Sequence, residues 1–290
     1  MSFTLPQNPN FAVELNPDNT LCICEYLGGA QVMTIPEKIG KYTVTEIAAH
    51  FCEDMDNMIS VVMPDTIREI GKDAFFACQD LRSIKISKGL EEIPESFCQL
   101  TNVSEINIPD SVHTIGESAF RNCTRLNTVN LGNGVKNIGR WAFINCHIKE
   151  IHLGPNVENI EYKEGCFLMN PSLKKFMVDR DNPFFRDING VLFSKDGKTL
   201  IRFPEKMMDS SGKSLLTYYA VPRCTRNIAE EAFNGCSLYD IKMHKNIEEI
   251  KPCVSIEFVY DEGTHIICPK GSVAEKFAKK YNINVKNEDS

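Results

Sequence analysis

Nowhere in the 290 residues does an apolar run approach the roughly 20 positions that span a bilayer, so no membrane insertion is expected. The opening residues, Met1 to Asn10, carry neither the basic start nor the apolar stretch of a secretory signal. The chain is therefore expected either to stay inside the cell or to have lost a leader. Positive charge is not in excess: 32 Lys and Arg face 39 Asp and Glu, a net charge of −7. That balance leaves no electrostatic footprint for nucleic acid.

Short catalytic and ligand motifs are equally scarce. No CxxC occurs, since Cys22 and Cys24 are too close and Cys98 lies far from Cys78. Cys146-His147 is one soft pair, whereas a zinc site needs about four convergent ligands. Ser210-Ser-Gly-Lys-Ser214 ends like a phosphate loop, but Met207 stands where its first glycine belongs. Asp179-Arg-Asp181 begins like a calcium loop, yet Pro183 takes the fifth position and no glutamate follows at the twelfth. The six histidines (50, 113, 147, 152, 244 and 265) sit in no recognisable motif, and a nucleophilic triad would have to be assembled from distant segments. Asn102-Val-Ser104 and Asn122-Cys-Thr124 match the glycosylation triplet, which also arises by chance. No catalytic residue, metal or cofactor is expected.

A repeat dominates what is present. Glu105-Ile-Asn-Ile-Pro-Asp-Ser-Val-His-Thr-Ile-Gly-Glu-Ser-Ala-Phe-Arg-Asn-Cys-Thr-Arg-Leu126 is one copy. Phe51, Phe75, Phe97, Phe120, Phe143 and Phe167 follow one another at intervals of 22 to 24 residues. A period in the low twenties is the mark of a solenoid, because a unit that short cannot enclose a core and must share one with its neighbours. Alternation in Ile106-Asn-Ile108, Val129-Asn-Leu131 and Ile151-His-Leu153 predicts short strands stacked into a parallel sheet along one side. The Phe and the closing Leu fill the interior, with loops and short helical turns on the other side.

Residues 1–50 read as a β-rich N-terminal cap, with strand-like Phe11–Leu15 and Leu21–Tyr26 joined by the turn-forming Asn16-Pro-Asp-Asn-Thr20. Residues 51–178 are the regular coils. Residues 179–218 break the period and hold a hairpin pattern with Asp196-Gly197 as its turn; 210–214 reads as a mobile loop. Coils resume over 219–269. In 270–286, Ser272 and Glu275 form a capping box, and Val273, Phe277 and Tyr281 share a face of a short helix that lids the last coil. The whole is expected to be one elongated domain, a monomer.

Twelve cysteines suggest a disulfide framework at first. Cys78, Cys123, Cys146 and Cys236 instead recur at one repeat position, with Asn170 replacing them in one copy. They are expected to line up as reduced, buried thiols that serve backbone groups in the turn after the Phe, which admits a reducing, cytoplasmic setting.

Taken together, Ile108-Pro-Asp-Ser-Val-His-Thr-Ile-Gly-Glu-Ser-Ala-Phe-Arg-Asn-Cys-Thr-Arg-Leu126 and its copies resemble the BspA-like leucine-rich repeat family. The entry Val32–Ile47, the hairpin Asn189–Gly197 and the exit Lys270–Tyr281 belong to the same resemblance, which covers nearly the whole chain. The resemblance implies a non-enzymatic, often surface-displayed bacterial protein for binding or adhesion.

The outward row of the sheet is the candidate site: Val62, Lys85, Asn107, Asn130, His152, Met177, Ala220 and Lys242. Of these, Lys85, Asn107, Asn130, His152 and Lys242 are the polar candidates to bind a protein or glycan along the solenoid. The alternative is a carbohydrate-active enzyme on a parallel β-helix, which needs carboxylates clustered on neighbouring coils. This row contains none.

Overall fold

The structure, a computed structural model, describes residues 8–161, 165–212, 214–252 and 263–287. They form coils of a parallel β-solenoid and fall into two compact units. One is Met1–Ile148 with Asn159–Glu161; the other is Lys149–Glu158 with Tyr162–Ser290.

In the first unit each regular coil contributes two short strands. Val32–Thr34, Ser60–Val62 and Ser83–Lys85 pair in parallel, as do Glu105–Asn107 and Thr128–Asn130. Their central residues Met33, Val61, Ile84, Ile106 and Val129 are buried. These strands begin one residue earlier than alternation alone indicates, so both their first and third residues face outward. The second strands, Glu92–Ile93, Thr114–Ile115, Asn137–Ile138 and Asn159–Ile160, form another parallel ladder with every isoleucine buried.

The side expected to carry loops and short helical turns is a third ladder, made of stacked turns. Ser118, Phe120 and Asn122 donate their N–H groups to the carbonyls of Arg140, Ala142 and Ile144 one coil on, at 2.9, 2.9 and 3.0 Å. Alternate residues can donate in this way because the chain enters the left-handed region on each side of the Phe. Ser118 has φ +55° and Asn122 +60°, and Trp141 and Asn145 repeat this around Phe143 with +57° and +55°. Such conformations are unfavourable for non-glycine residues, and inter-coil hydrogen bonds compensate. The glycine that precedes the turn in three coils, Gly71, Gly116 and Gly139, has a different cause. A Cβ on Gly116 would lie 2.8 Å from the backbone N of Glu95, so the coils approach too closely there for any side chain.

The phenylalanines form a continuous ring stack through the first unit. Successive centroids of Phe11, Phe51, Phe75, Phe97, Phe120 and Phe143 are 6.5, 6.0, 5.6, 6.0 and 5.4 Å apart. Aromatic pairs at these separations add to the burial term. The cysteine position behaves as expected: Cys78 Sγ donates to Cys52 O at 2.7 Å and Cys123 Sγ to Cys98 O at 3.0 Å. Asn170 plays the same part with an amide, donating to Phe167 O at 3.1 Å. All described cysteines are free thiols; Cys78, Cys123 and Cys146 are buried, whereas Cys236 is half-buried and Cys224 exposed. At the N-terminal end, the antiparallel pair Phe11–Leu15 and Leu21–Tyr26 joins the coils through parallel pairing with Tyr42–Ile47.

In the second unit, Glu150–Leu153 pairs in parallel with Lys175–Val178. Between residues 179 and 218, Phe185–Ile188, Val191–Ser194 and Thr199–Arg202 make an antiparallel meander. Its first turn is Asn189-Gly190, with φ +54° and +83°, the pattern of a two-residue hairpin turn. The second, at Asp196-Gly197, is the one anticipated. The meander is integral to the stack, since Thr199–Arg202 pairs in parallel with Asn227–Ile228 and then Glu249–Ile250. Phe203, buried, donates its N–H to Ala232 O at 2.7 Å, as Phe120 does to Ala142. Its ring lies 5.8 Å from Phe233. The long interval between Phe167 and Phe233 therefore contains another anchoring ring, reached by a longer path.

A final parallel sheet comprises Tyr218–Ala220, Asp240–Lys242, His265–Cys268 and Asn284–Asn287. The helix Val273–Lys280 closes this core, burying Ala274, Phe277 and Ala278 beside Ile266 and Cys268. Ser272 caps it, accepting from Glu275 N at 3.2 Å. The return bond of the predicted box goes to Gly271 N, 2.6 Å from Glu275 Oε2. Tyr281 is 38% exposed, its ring tilted against that of Phe277 with centroids 4.8 Å apart, so it lies outside the buried face.

Candidate ligand-binding face

The third residue of each face strand makes the anticipated outward row. Lys85, Asn107, Asn130 and His152 are exposed, and Lys242 is half-buried. The structure brings two of these five together. Asn107 and Asn130 are register partners on neighbouring strands, and Asn130 Nδ2 donates to Asn107 Oδ1 at 2.7 Å. Asn107 Nδ2 donates in turn to Glu105 Oε1 at 3.0 Å. Lys85 pairs in register with Val62, His152 with Met177, and Lys242 with Ala220 and Ile267. His152 lies in the second unit, so the ladder established by pairing is Asn107–Asn130.

Sequence reasoning missed the first residue of each strand. These form a second outward row: Val32, Ser60, Ser83, Glu105 and Thr128 in the first unit, and Glu150, Lys175, Tyr218, Asp240, His265 and Asn284 in the second. The signal was present, since a polar residue precedes the first apolar residue in most of these strands. This row also corrects the argument that the face carries no carboxylate. Glu105, Glu150 and Asp240 all lie on it, each with a partner. Glu150 Oε1 is 3.2 Å from Lys175 Nζ, and Asp240 Oδ1 is 2.7 Å from Lys286 Nζ and 3.5 Å from His265 Nδ1. No two of the three are register partners. Single carboxylates held by an amide or a cation can accept hydrogen bonds and orient a ligand, but a glycosidase needs a facing pair.

Elsewhere the surface is structural in character. The single tryptophan, Trp141, packs under the guanidinium groups of Arg121 and Arg140, at 5.1 and 4.4 Å. Arg140 is held by Glu117 at 2.7 Å. In the second unit Arg202 and Glu205, both buried, pair at 2.7 Å. Burial pushes the Glu205 carboxyl above the usual carboxylate range, outweighing the pull of Arg202. Cys146 donates to Phe120 O at 3.3 Å, engaged with backbone beside an exposed His147. Among the described residues no group of three or more His, Cys, Asp or Glu could hold a metal ion, and no helix is long and apolar enough to cross a membrane.

The coil geometry has its counterpart in sequence: the BspA type leucine rich repeat region, in six copies, matches residues 45–174, 92–211 and 211–254. The chain belongs to the BspA-type leucine-rich repeat family. Among solved structures, this leucine-rich repeat protein is similar to the pneumococcal vaccine antigen PcpA, with TM-score 0.68 and 19% identity over 99% of this chain and 98% of that one. It is also similar to a leucine rich cell surface protein of Faecalibacterium prausnitzii, with TM-score 0.65 and 21% identity over 100% and 96%. A leucine-rich repeat protein of Bacteroides ovatus gives TM-score 0.64 and 21% identity over 99% and 77%. At such identities the likeness concerns the fold. No curated protein matches the chain in sequence. Neither the family nor these neighbours is described as an enzyme.

Proposed function

We propose that this leucine-rich repeat protein is a non-catalytic recognition module that binds a protein or glycan, in an adhesive role, along the outward rows of its face strands. The supporting observation is the Asn130–Asn107–Glu105 chain of hydrogen bonds. Each amide is oriented by its neighbour, so the remaining donors and acceptors point outward already ordered. Parallel sheets are ordinarily covered on both faces. Here one face holds the core while the other presents polar groups at strand spacing.

The test is a panel of glycans and immobilised extracellular proteins probed with the full chain, then with Asn107→Ala/Asn130→Ala. The double variant is expected to fold normally and to bind its partner at least about tenfold more weakly, as loss of two ordered polar contacts predicts. Undiminished binding by the double variant would exclude this part of the face from recognition.

A further inference from the structure

The second unit's face differs from the first in carrying an aromatic ring. Tyr218, Asp240, His265 and Asn284 are register partners on four successive parallel strands, with rungs about 4.8 Å apart. All four are first residues of their strands and lie on the outward side. Tyr218 is 46% exposed, although a tyrosine in a folded core normally hides most of its ring. Ala220, two residues on along the same face, is also exposed.

We infer that this row is a subsite for a neutral oligosaccharide, a reading that rests on the sheet-face function proposed above. Tyr218 supplies a flat apolar surface for the C–H face of a pyranose ring, with a hydroxyl at its tip. Asp240 is an acceptor-only group fixed by Lys286 at 2.7 Å and flanked by His265 at 3.5 Å, and so is poised to accept from vicinal sugar hydroxyls. His265 and Asn284 extend the row with groups that can both donate and accept. A few placed polar groups beside an aromatic wall are the usual make-up of a small-molecule site.

Charge and backbone geometry choose among ligand classes. The carboxylate of Asp240 opposes an anionic ligand, while Lys286 and Lys242 on the neighbouring row oppose a cationic one. An uncharged polyol meets neither penalty. A peptide strand would look for unpaired backbone N–H and C=O groups; in this sheet those lie in its plane, at the edge strands Tyr218–Ala220 and Asn284–Asn287, and not over the outward face. Side chains alone face outward, which suits hydroxyl recognition.

The experiment is calorimetric titration of the full chain with neutral hexasaccharides of glucose, xylose and mannose, and with hexagalacturonate as the acidic counterpart. Tyr218→Ala, Asp240→Asn and Asn107→Ala/Asn130→Ala are titrated alongside, with circular dichroism as the check on folding. At least one neutral hexasaccharide is expected to bind, with affinity reduced about tenfold or more by Tyr218→Ala and clearly by Asp240→Asn. Because Tyr218 is exposed, its loss leaves the core intact. Absence of binding by every neutral sugar, preference for hexagalacturonate, or full affinity in both second-unit variants would overturn the inference. If the first-unit variant alone weakens binding to a sugar or protein, the sheet-face function stands and this subsite falls. If no face variant affects any ligand, both fall.

Discussion

Asn130 and Asn107 lie one coil apart and hydrogen-bond amide to amide at 2.7 Å on the outward face. Asn145 and Asn122 do the same beside the turn ladder, at 3.0 Å. Exposed side-chain bonds of this kind contribute little, because water competes for each partner. Asn107→Ala and Asn130→Ala should each cost under about 1 kcal/mol, with a coupling of about 0.5 kcal/mol in a double-mutant cycle. Urea unfolding of the four proteins measures both. A cost of several kcal/mol would mean that the pair is structural, and would remove the reason to regard it as available to a ligand.

Phe120 is fully buried, with Phe97 6.0 Å away on one side and Phe143 5.4 Å on the other. Phe120→Ala removes both ring contacts and leaves a cavity between coils that backbone ladders hold at fixed spacing. The expected cost is about 3–5 kcal/mol, read as a fall in the urea midpoint. An unchanged midpoint would contradict the ring stack.

Gly116→Ala should also destabilise, for a steric cause. Its φ is not in the left-handed region, but a Cβ would meet Glu95 N at 2.8 Å and Pro94 C at 2.8 Å. Backbone cannot move aside as a flexible side chain can, so the coils must separate locally at about 1–3 kcal/mol. Gly29 is the control: a Cβ there meets nothing within 4 Å. Equal melting temperatures for Gly116→Ala and Gly29→Ala would refute the close approach.

Burial pushes the thiols of Cys78 and Cys123 up to about 11, from an ordinary value of 9.0. The folded state therefore holds these protons where the unfolded state releases them. Their contribution is fully present below pH 9 and is lost as pH rises towards 11, so stability should fall across that window. Cys78→Ser/Cys123→Ser should flatten the decline, because hydroxyls do not ionise there and can still donate to Cys52 O and Cys98 O. In native protein at pH 8, a thiol reagent should modify the exposed Cys224 first and leave Cys78 and Cys123 unreacted until denaturant is added. Modification of all three at one rate would place the repeat thiols at the surface.

Arg202 and Glu205 form a buried ion pair at 2.7 Å, and Arg202 Nη1 also donates to Glu231 O at 2.5 Å. Arg202→Met strands a carboxylate whose burial already resists ionisation, and should cost about 3–5 kcal/mol. Arg202→Met/Glu205→Leu should recover much of that loss, since two apolar side chains need no compensation. Chemical denaturation of the two variants separates the outcomes; a double variant worse than the single would show that the pair contributes net stability.

The sequence by itself determined the coil. The recurrence of Phe at intervals of 22 to 24 residues, the apolar pairs Ile106/Ile108 and Val112/Ile115, and the repeated cysteine allow only a stacked, shared core. Ser272 and Glu275 likewise announced the closing helix, because a cap is a local interaction over three residues. Tertiary structure decided what depends on pairing between coils. Glu105, Glu150 and Asp240 read equally well as loop residues, and became outward strand positions only when the neighbouring strand fixed the register. Phe203 showed no period, because its coil reaches the stack through the longer meander of residues 185–202. The left-handed residue before the Phe left no mark in residue type, being Ser118 in one coil and Trp141 in the next, since hydrogen bonds to the next coil hold it; the one after the Phe showed only as Asn122 and Asn145, a residue type that tolerates this region. The side-by-side placement of Tyr218, Asp240 and His265 has the same origin: each lies more than twenty residues from the next in the chain, and only the parallel pairing of their strands makes them neighbours.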